Sequence, residues 1–144
     1  MIKGLNSLMN LLSEDGIRKA ASQPLKTYIN SVVQDARNEA PTSITYVHKE
    51  GYLVEPTNVK NTISGGVQNG DAYIEVADPL APYIEFGTGK FAADLLGTYS
   101  EEWRDVAFYY FVDGTGTLMA NPFLHDAIED NIVILDKELE NKFK

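Results

Sequence analysis

Leu124, Ala127, Ile128, Ile132, Leu135, Leu139 and Phe143, near the end of the chain, fall at i, i+3, i+4, i+8, i+11, i+15 and i+19, the spacing that lines one face of an α-helix. Glu129 and Asp130 come early in this stretch, and Lys137, Lys142 and Lys144 come late, the charge order that a helix dipole favours. A helix over 121–143 follows, opened by Asn121-Pro122. At the other end Leu5, Leu8, Met9 and Leu12 keep helical spacing as far as Ser13-Glu14-Asp15, which reads as a cap for a new start. Ile17, Ala20, Ala21, Leu25, Tyr28, Ile29, Val32 and Ala36 then continue a single apolar stripe, with Ser22 and Pro24 marking either a kink or a fresh first turn. Pro41, after Glu39-Ala40, ends the helical region 1–40, because the residue before proline is driven out of helical geometry.

Between these helices the pattern shortens to β-type runs. Ile44, Tyr46 and Val47 before Lys49-Glu50-Gly51, then Tyr52, Leu53 and Val54 before Pro56, predict a hairpin. A second hairpin pairs Thr62 to Gln68 with Ala72 to Ala77 across Asn69-Gly70, a dipeptide suited to turn positions with positive φ. Ala72, Ile74 and Val76 alternate with Tyr73, Glu75 and Ala77, so this sheet is expected to be half-buried. Tyr83 to Gly89 (Tyr-Ile-Glu-Phe-Gly-Thr-Gly) reads as a strand running into a glycine turn, with Tyr83, Glu85 and Gly87 on one face and Ile84 and Phe86 on the other. Region 43–89 is therefore expected to be sheet.

Residues 90–119 are the least regular. Ala92, Leu95 and Leu96 suggest a short helical turn, Thr98-Tyr99-Ser100-Glu101 is a capping box before Trp103, and Phe108-Tyr109-Tyr110-Phe111-Val112 reads as a strand closed by Asp113-Gly114-Thr115-Gly116. No repeat or linker divides the chain. The expected fold is one α+β domain over 1–144: a small, mostly antiparallel sheet of about four to six strands packed against N-terminal and C-terminal helices.

Composition narrows the function classes. The 144 residues suit one domain with one modest core. With 44% hydrophobic and 23% charged residues the chain is expected to be globular rather than disordered. There is no cysteine, so neither a disulfide framework nor a thiolate metal site is available. No apolar run reaches the ~20 residues of a membrane span, and no signal peptide is recognisable; synthesis in the cytoplasm without membrane contact is the expectation. A formal charge of -9 opposes a phosphate-neutralising grip on nucleic acid. The same charge would suit a channel through which DNA slides without sticking.

Candidate chemistry is sparse. Gly87-Thr88-Gly89-Lys90 is no phosphate loop, because Ile84 stands where that motif needs its first glycine and Phe91 where it needs a hydroxyl. His48 and His125 stand far apart without metal-ligand spacing and read as surface or helix-start residues. Asp113 to Gly116 lacks the alternating oxygen ligands of a calcium loop, and no serine sits in a nucleophile elbow. Glu85 is the one carboxylate to weigh as an acid or base, since burial in an apolar segment would raise its pKa. Strand alternation would instead turn it to solvent or to a neighbouring subunit. No catalytic, cofactor-binding or metal-ligating residue is assigned, and the chain is not expected to be an enzyme.

Taken in order, Glu39-Ala40-Pro41, Tyr83 to Gly89 and Asn121-Pro122-Phe123-Leu124 resemble the bacteriophage tail-completion, or head-tail joining, proteins of long-tailed phages. In that family an N-terminal helix ends at Ala-Pro, a Tyr-x-Glu-Phe-Gly-Thr segment follows a small sheet, and Pro-Phe-Leu opens the last helix. The resemblance makes Tyr83, Glu85, Phe86, Gly87, Thr88, Gly89, Pro122, Phe123 and Leu124 structural motif residues. Gly87 and Gly89 would allow a sharp turn, Pro122 would fix φ in the first helical turn, and Phe123 and Leu124 would anchor that helix. Trp103, Phe108, Tyr109, Tyr110 and Phe111, in the variable region, become candidate interface residues.

The resemblance implies a virion protein at the head-tail interface, working without a cofactor as a homo-oligomeric ring, of which a hexamer is one form. Its partners would be head-completion or connector proteins on one side and tail-tube or terminator proteins on the other, with DNA in transient passage. A tail terminator is the alternative within the assembly class, and a small enzyme or ligand-binding domain using Glu85 is the alternative outside it. The chain departs from the family after Pro41. A Thr-Gly turn and a Leu-Arg-x-Ser-Ile-like strand are matched only loosely by Thr57 to Ile63, and residues 42–56 form an additional hairpin that would serve as a contact arm.

Overall fold

A computed structural model describes residues 15–95, 99–105 and 116–143 of the chain. The expected helix around Leu5 to Leu12 and the aromatic run Phe108 to Phe111 with its closing turn lie outside the described residues. Helix α1 spans Asp15–Glu39 without interruption. Pro24 lies inside it and is buried, so the two open readings at Ser22 and Pro24 resolve to a continuous helix. Proline withholds one backbone donor, and the packed apolar stripe outweighs that loss: Ala21, Leu25, Tyr28, Ile29, Val32 and Ala36 are all buried. The Ala40 N–H closes the last turn on the Ala36 carbonyl at 2.8 Å, just before Pro41.

Two hairpins follow. Strands β1 (Ser43–His48) and β2 (Gly51–Pro56) pair antiparallel, Tyr46 opposite Leu53. After a 3₁₀ turn at Val59–Thr62, β3 (Ile63–Gln68) pairs with β4 (Asp71–Val76). The connecting Asn69 and Gly70 have φ of 54° and 85°, as the Asn-Gly reading requires. The chain is thus α+β, but its described strands form two separate two-stranded ladders rather than one sheet. Segment 117–119 adds to the far side of β1: Val47 donates to the Thr117 carbonyl at 2.9 Å and Met119 to the Thr45 carbonyl at 3.0 Å.

The largest correction concerns Tyr83. Ala81–Phe86 is a short helix, α2, not a strand. Pro82 sits in its first turn, and Gly87, with φ 72°, ends it by donating to the Tyr83 carbonyl at 2.8 Å. Proline near a helix start and glycine just past its end are favoured there for opposite backbone reasons, and here they outweigh an alternation only four residues long. Helix α3 (Lys90–Leu95) and a helical segment at 101–105 occupy the irregular region. The final helix, α4, runs Phe123–Lys142. Pro122 is its cap residue rather than a residue of its first turn.

Helices α1 and α4 form the most extensive contact, and β3–β4 lies against α1. Ile84 of α2, Ile63 of β3 and Phe123 and Leu135 of α4 join the α1 stripe in one core. Gly65 lets α1 approach closely, for a Cβ there would stand 2.9 Å from Val33 Cγ2 and 2.8 Å from the Tyr73 carbonyl oxygen. Asn131 is a buried polar residue on the apolar face of α4, where its Nδ2 donates to Asp35 of α1 and to the Ala127 carbonyl, both at 2.8 Å. Phe143 is exposed instead of completing the stripe. No helix among the described residues is long and apolar enough to cross a membrane.

Candidate functional site

Helix α4 begins without a local cap, because Pro122 offers no side-chain acceptor. Two of its first N–H groups find one elsewhere: Leu124 donates to Glu85 Oε2 at 2.9 Å and His125 to Glu85 Oε1 at 2.8 Å. Phe123 donates to the Asn121 carbonyl at 2.8 Å, and Asp126 makes the first intrahelical bond, to Pro122, at 3.1 Å. Every donor of the first turn is therefore satisfied, and a carboxylate from α2 supplies what an N-cap side chain usually does. Glu85 is 3% exposed, so of the two readings left open for it the buried carboxyl holds and the strand face turned to solvent does not. Burial, with Asp126 adding to it, pushes its carboxyl up to about 7 against the opposing effect of the two N–H bonds.

Further bonds extend this contact into a seam between the two motif stretches. The Asn121 N–H donates to the Ile84 carbonyl at 2.8 Å, the Thr88 N–H to the Leu118 carbonyl at 3.1 Å, and the Leu118 N–H to Thr88 Oγ1 at 3.0 Å. Gly87 lies where these strands of chain touch. A Cβ there would stand 2.8 Å from the Ala120 nitrogen and 2.9 Å from the Leu118 oxygen. Of the motif residues, Glu85 and Thr88 thus bond directly to the stretch from Leu118 to His125, and Gly87 packs on it. Phe86, Gly89 and Phe123 are buried, Thr88, Pro122 and Leu124 are partly buried, and Tyr83 is exposed.

An aromatic cluster forms beside Glu85, around its neighbour Phe86 and the helix-start residue His125. Tyr99 stacks on His125 with ring centroids 4.3 Å apart and meets Phe86 edge-on at 5.8 Å, while Trp103 lies 6.0 Å from Phe86 and 5.1 Å from His125. Trp103, a candidate for an exposed interface, is half-buried in this cluster. The Tyr99 hydroxyl is buried without a hydrogen-bond partner among the described residues, and burial, then Glu85 and Asp126, raise its pKa. His125 is a helix-start residue as expected, with its ring mostly covered. His48 stays exposed at the β1 end.

Sequence reasoning missed Asn131 and the pairing of Glu85 with α4. The first had a signal, a carboxamide three and four residues after Ile128 and Ala127 on the stripe; the second had none, since 39 residues separate Glu85 from Leu124. Among the described residues no group of three or more His, Asp or Glu is placed to hold a metal. An open groove of about 570 Å³ between α1 and β3 is lined by Asn30, Val33, Gln34, Arg37, Asn38, Lys60, Ser64 and Gly65, and Glu85 is not part of its lining. No protein-family model matches the chain, and neither the curated proteins nor the solved structures contain a match.

Proposed function

We propose that this chain is a virion structural protein of a long-tailed bacteriophage, acting at the head-tail junction as a tail-completion or joining subunit. The observation that carries the reading is β2. Every residue of this strand is exposed, with Tyr52 at 75%, Val54 at 58% and Leu53 at 47%. An apolar strand with an open edge is a hazard to a free protein and is normally blunted or covered, so a hairpin of this kind serves as a contact arm for another subunit. The rest of the structure supports the same reading. Glu85, the one acid-base candidate, has both oxygens committed to backbone donors, and the motif residues that carry the family resemblance hold α2 against α4.

In this role the subunits form a homo-oligomeric ring between head-side connector proteins and the tail tube, and catalyse no bond chemistry. DNA passes through without specific binding, consistent with the charge of -9. The test is extract complementation. A phage carrying a stop codon early in this gene should accumulate DNA-filled heads and separate tails, and purified protein added to that lysate should restore infectious particles. Normal virions from the mutant would refute the proposal.

A further inference from the structure

A ring built from identical subunits needs two different surfaces that fit each other. Among the described residues β2, β3 and β4 each lack a strand on one edge; on β3 the Arg37 side chain of α1 already takes an outward carbonyl, that of Ile63, and β2 and β4 are the two edges with no such bond. Their registers can be read from bonds already made. Thr45 and Val47 turn their backbone groups away from β2, toward Met119 and Thr117. Val54 and Tyr52, directly opposite them, therefore direct their own N–H and C=O groups to the outer edge of β2. In the second hairpin, Ala77 donates to the Thr62 carbonyl at 3.1 Å. Arg37 Nη2 of α1 donates to the Ile63 carbonyl at 2.6 Å, on the far side of β3. Alternation then places the outward groups of β4 on Ala72, Ile74 and Val76.

Resting on the ring reading, we infer that the free edge of β2 adds antiparallel to the free edge of β4 in the next copy of this chain, Tyr52 opposite Val76 and Val54 opposite Ile74. Pro56 then lies opposite Ala72, where its carbonyl still accepts although it has no N–H to give. Charge selects this register. Glu55 falls opposite Tyr73 and Leu53 opposite Glu75. Moving to the neighbouring hydrogen-bonded register in one direction sets Glu55 against Asp71, and in the other against Glu75, two arrangements in which carboxylates repel. The side chains agree as well. Directly opposed residues share a face, so exposed Tyr52 and Val54 extend the apolar row of Ala72, Ile74 and Val76, which packs on the core of its own subunit. The product is a ladder that crosses the subunit boundary from β1–β2 of one copy to β4–β3 of the next.

The chain has no cysteine, so disulfide trapping reads the contact directly. Leu53 and Glu75 would form a non-hydrogen-bonded pair with Cα atoms about 4.5 Å apart, within disulfide range. Mixed under oxidising conditions, Leu53→Cys and Glu75→Cys should give a covalent heterodimer, and the double variant a ladder of oligomers ending at the ring. Leu53→Cys mixed with Asp71→Cys should not cross-link, because that pair lies roughly 14 Å out of register. Both principal sites are exposed, and unchanged thermal melting of the reduced variants confirms that they fold. Dimers of Leu53→Cys alone would mean that β2 pairs with β2 and would overturn the inference. Native mass measurement separates the two levels. Rings without cross-linking overturn this contact and leave the ring reading standing, whereas a monomer at every concentration, with no cross-link, removes both.

Discussion

Gly87→Ala is expected to lower the unfolding free energy by about 3 to 5 kcal/mol, a fall of roughly 10 °C or more in Tm. Two effects add at this position. Its backbone has φ 72° and ψ -168°, a region open almost solely to glycine. The added Cβ would also meet backbone atoms of Leu118 and Ala120 inside 3.0 Å, and backbone held by hydrogen bonds on both sides gives way only if the seam opens. Thermal or urea unfolding of the variant measures the loss. A change below about 1 kcal/mol would mean that the two motif stretches do not pack as described.

Glu85→Leu removes the acceptor that the Leu124 and His125 N–H groups have among the described residues, and is expected to cost about 2 to 4 kcal/mol. Glu85→Gln keeps the shape and one acceptor, and it isolates the pH dependence. The folded carboxyl titrates near 7 and the unfolded one near 4.5. Between those values the folded protein holds a proton that the unfolded chain has released, so stability from this group is fully present below about 4.5 and is lost as pH rises through 7. The advantage of the wild type over Glu85→Gln should therefore shrink by on the order of 3 kcal/mol from pH 4.5 to pH 8. Tyr99, His125 and Asp126 face the same carboxyl, and they stay in place in the variant. Parallel stability curves for the two proteins would show that Glu85 titrates alike in folded and unfolded states.

The helices and hairpins were legible where a period persists long enough to count. Residues 20–36 of α1, the stripe of α4 and the Asn69-Gly70 turn needed no tertiary information. The segment from Tyr83 to Phe86 did, because four residues fit both periods. Its deciding signals were Pro82 and Gly87, which bracket a single helical turn. Merging the strands into one sheet failed for a related reason: strand runs in sequence do not say which edges meet, and segment 117–119, rather than β3 or β4, took the open side of β1. The motif residues of the candidate site were legible, but their mutual bonds were not. A cap supplied from another helix leaves no spacing rule, and the family resemblance named both stretches without joining them.

The proposal that function resides in the exposed strand, and not in the buried seam, meets its most direct test in a phage whose copy of this gene carries Val54→Lys. The substitution lies on an exposed strand and should change stability by no more than about 0.5 kcal/mol, so folded protein accumulates. Counted in electron micrographs of the lysate, full heads and free tails should dominate, with joined particles reduced at least tenfold. Joined, infectious virions at the wild-type count would contradict it.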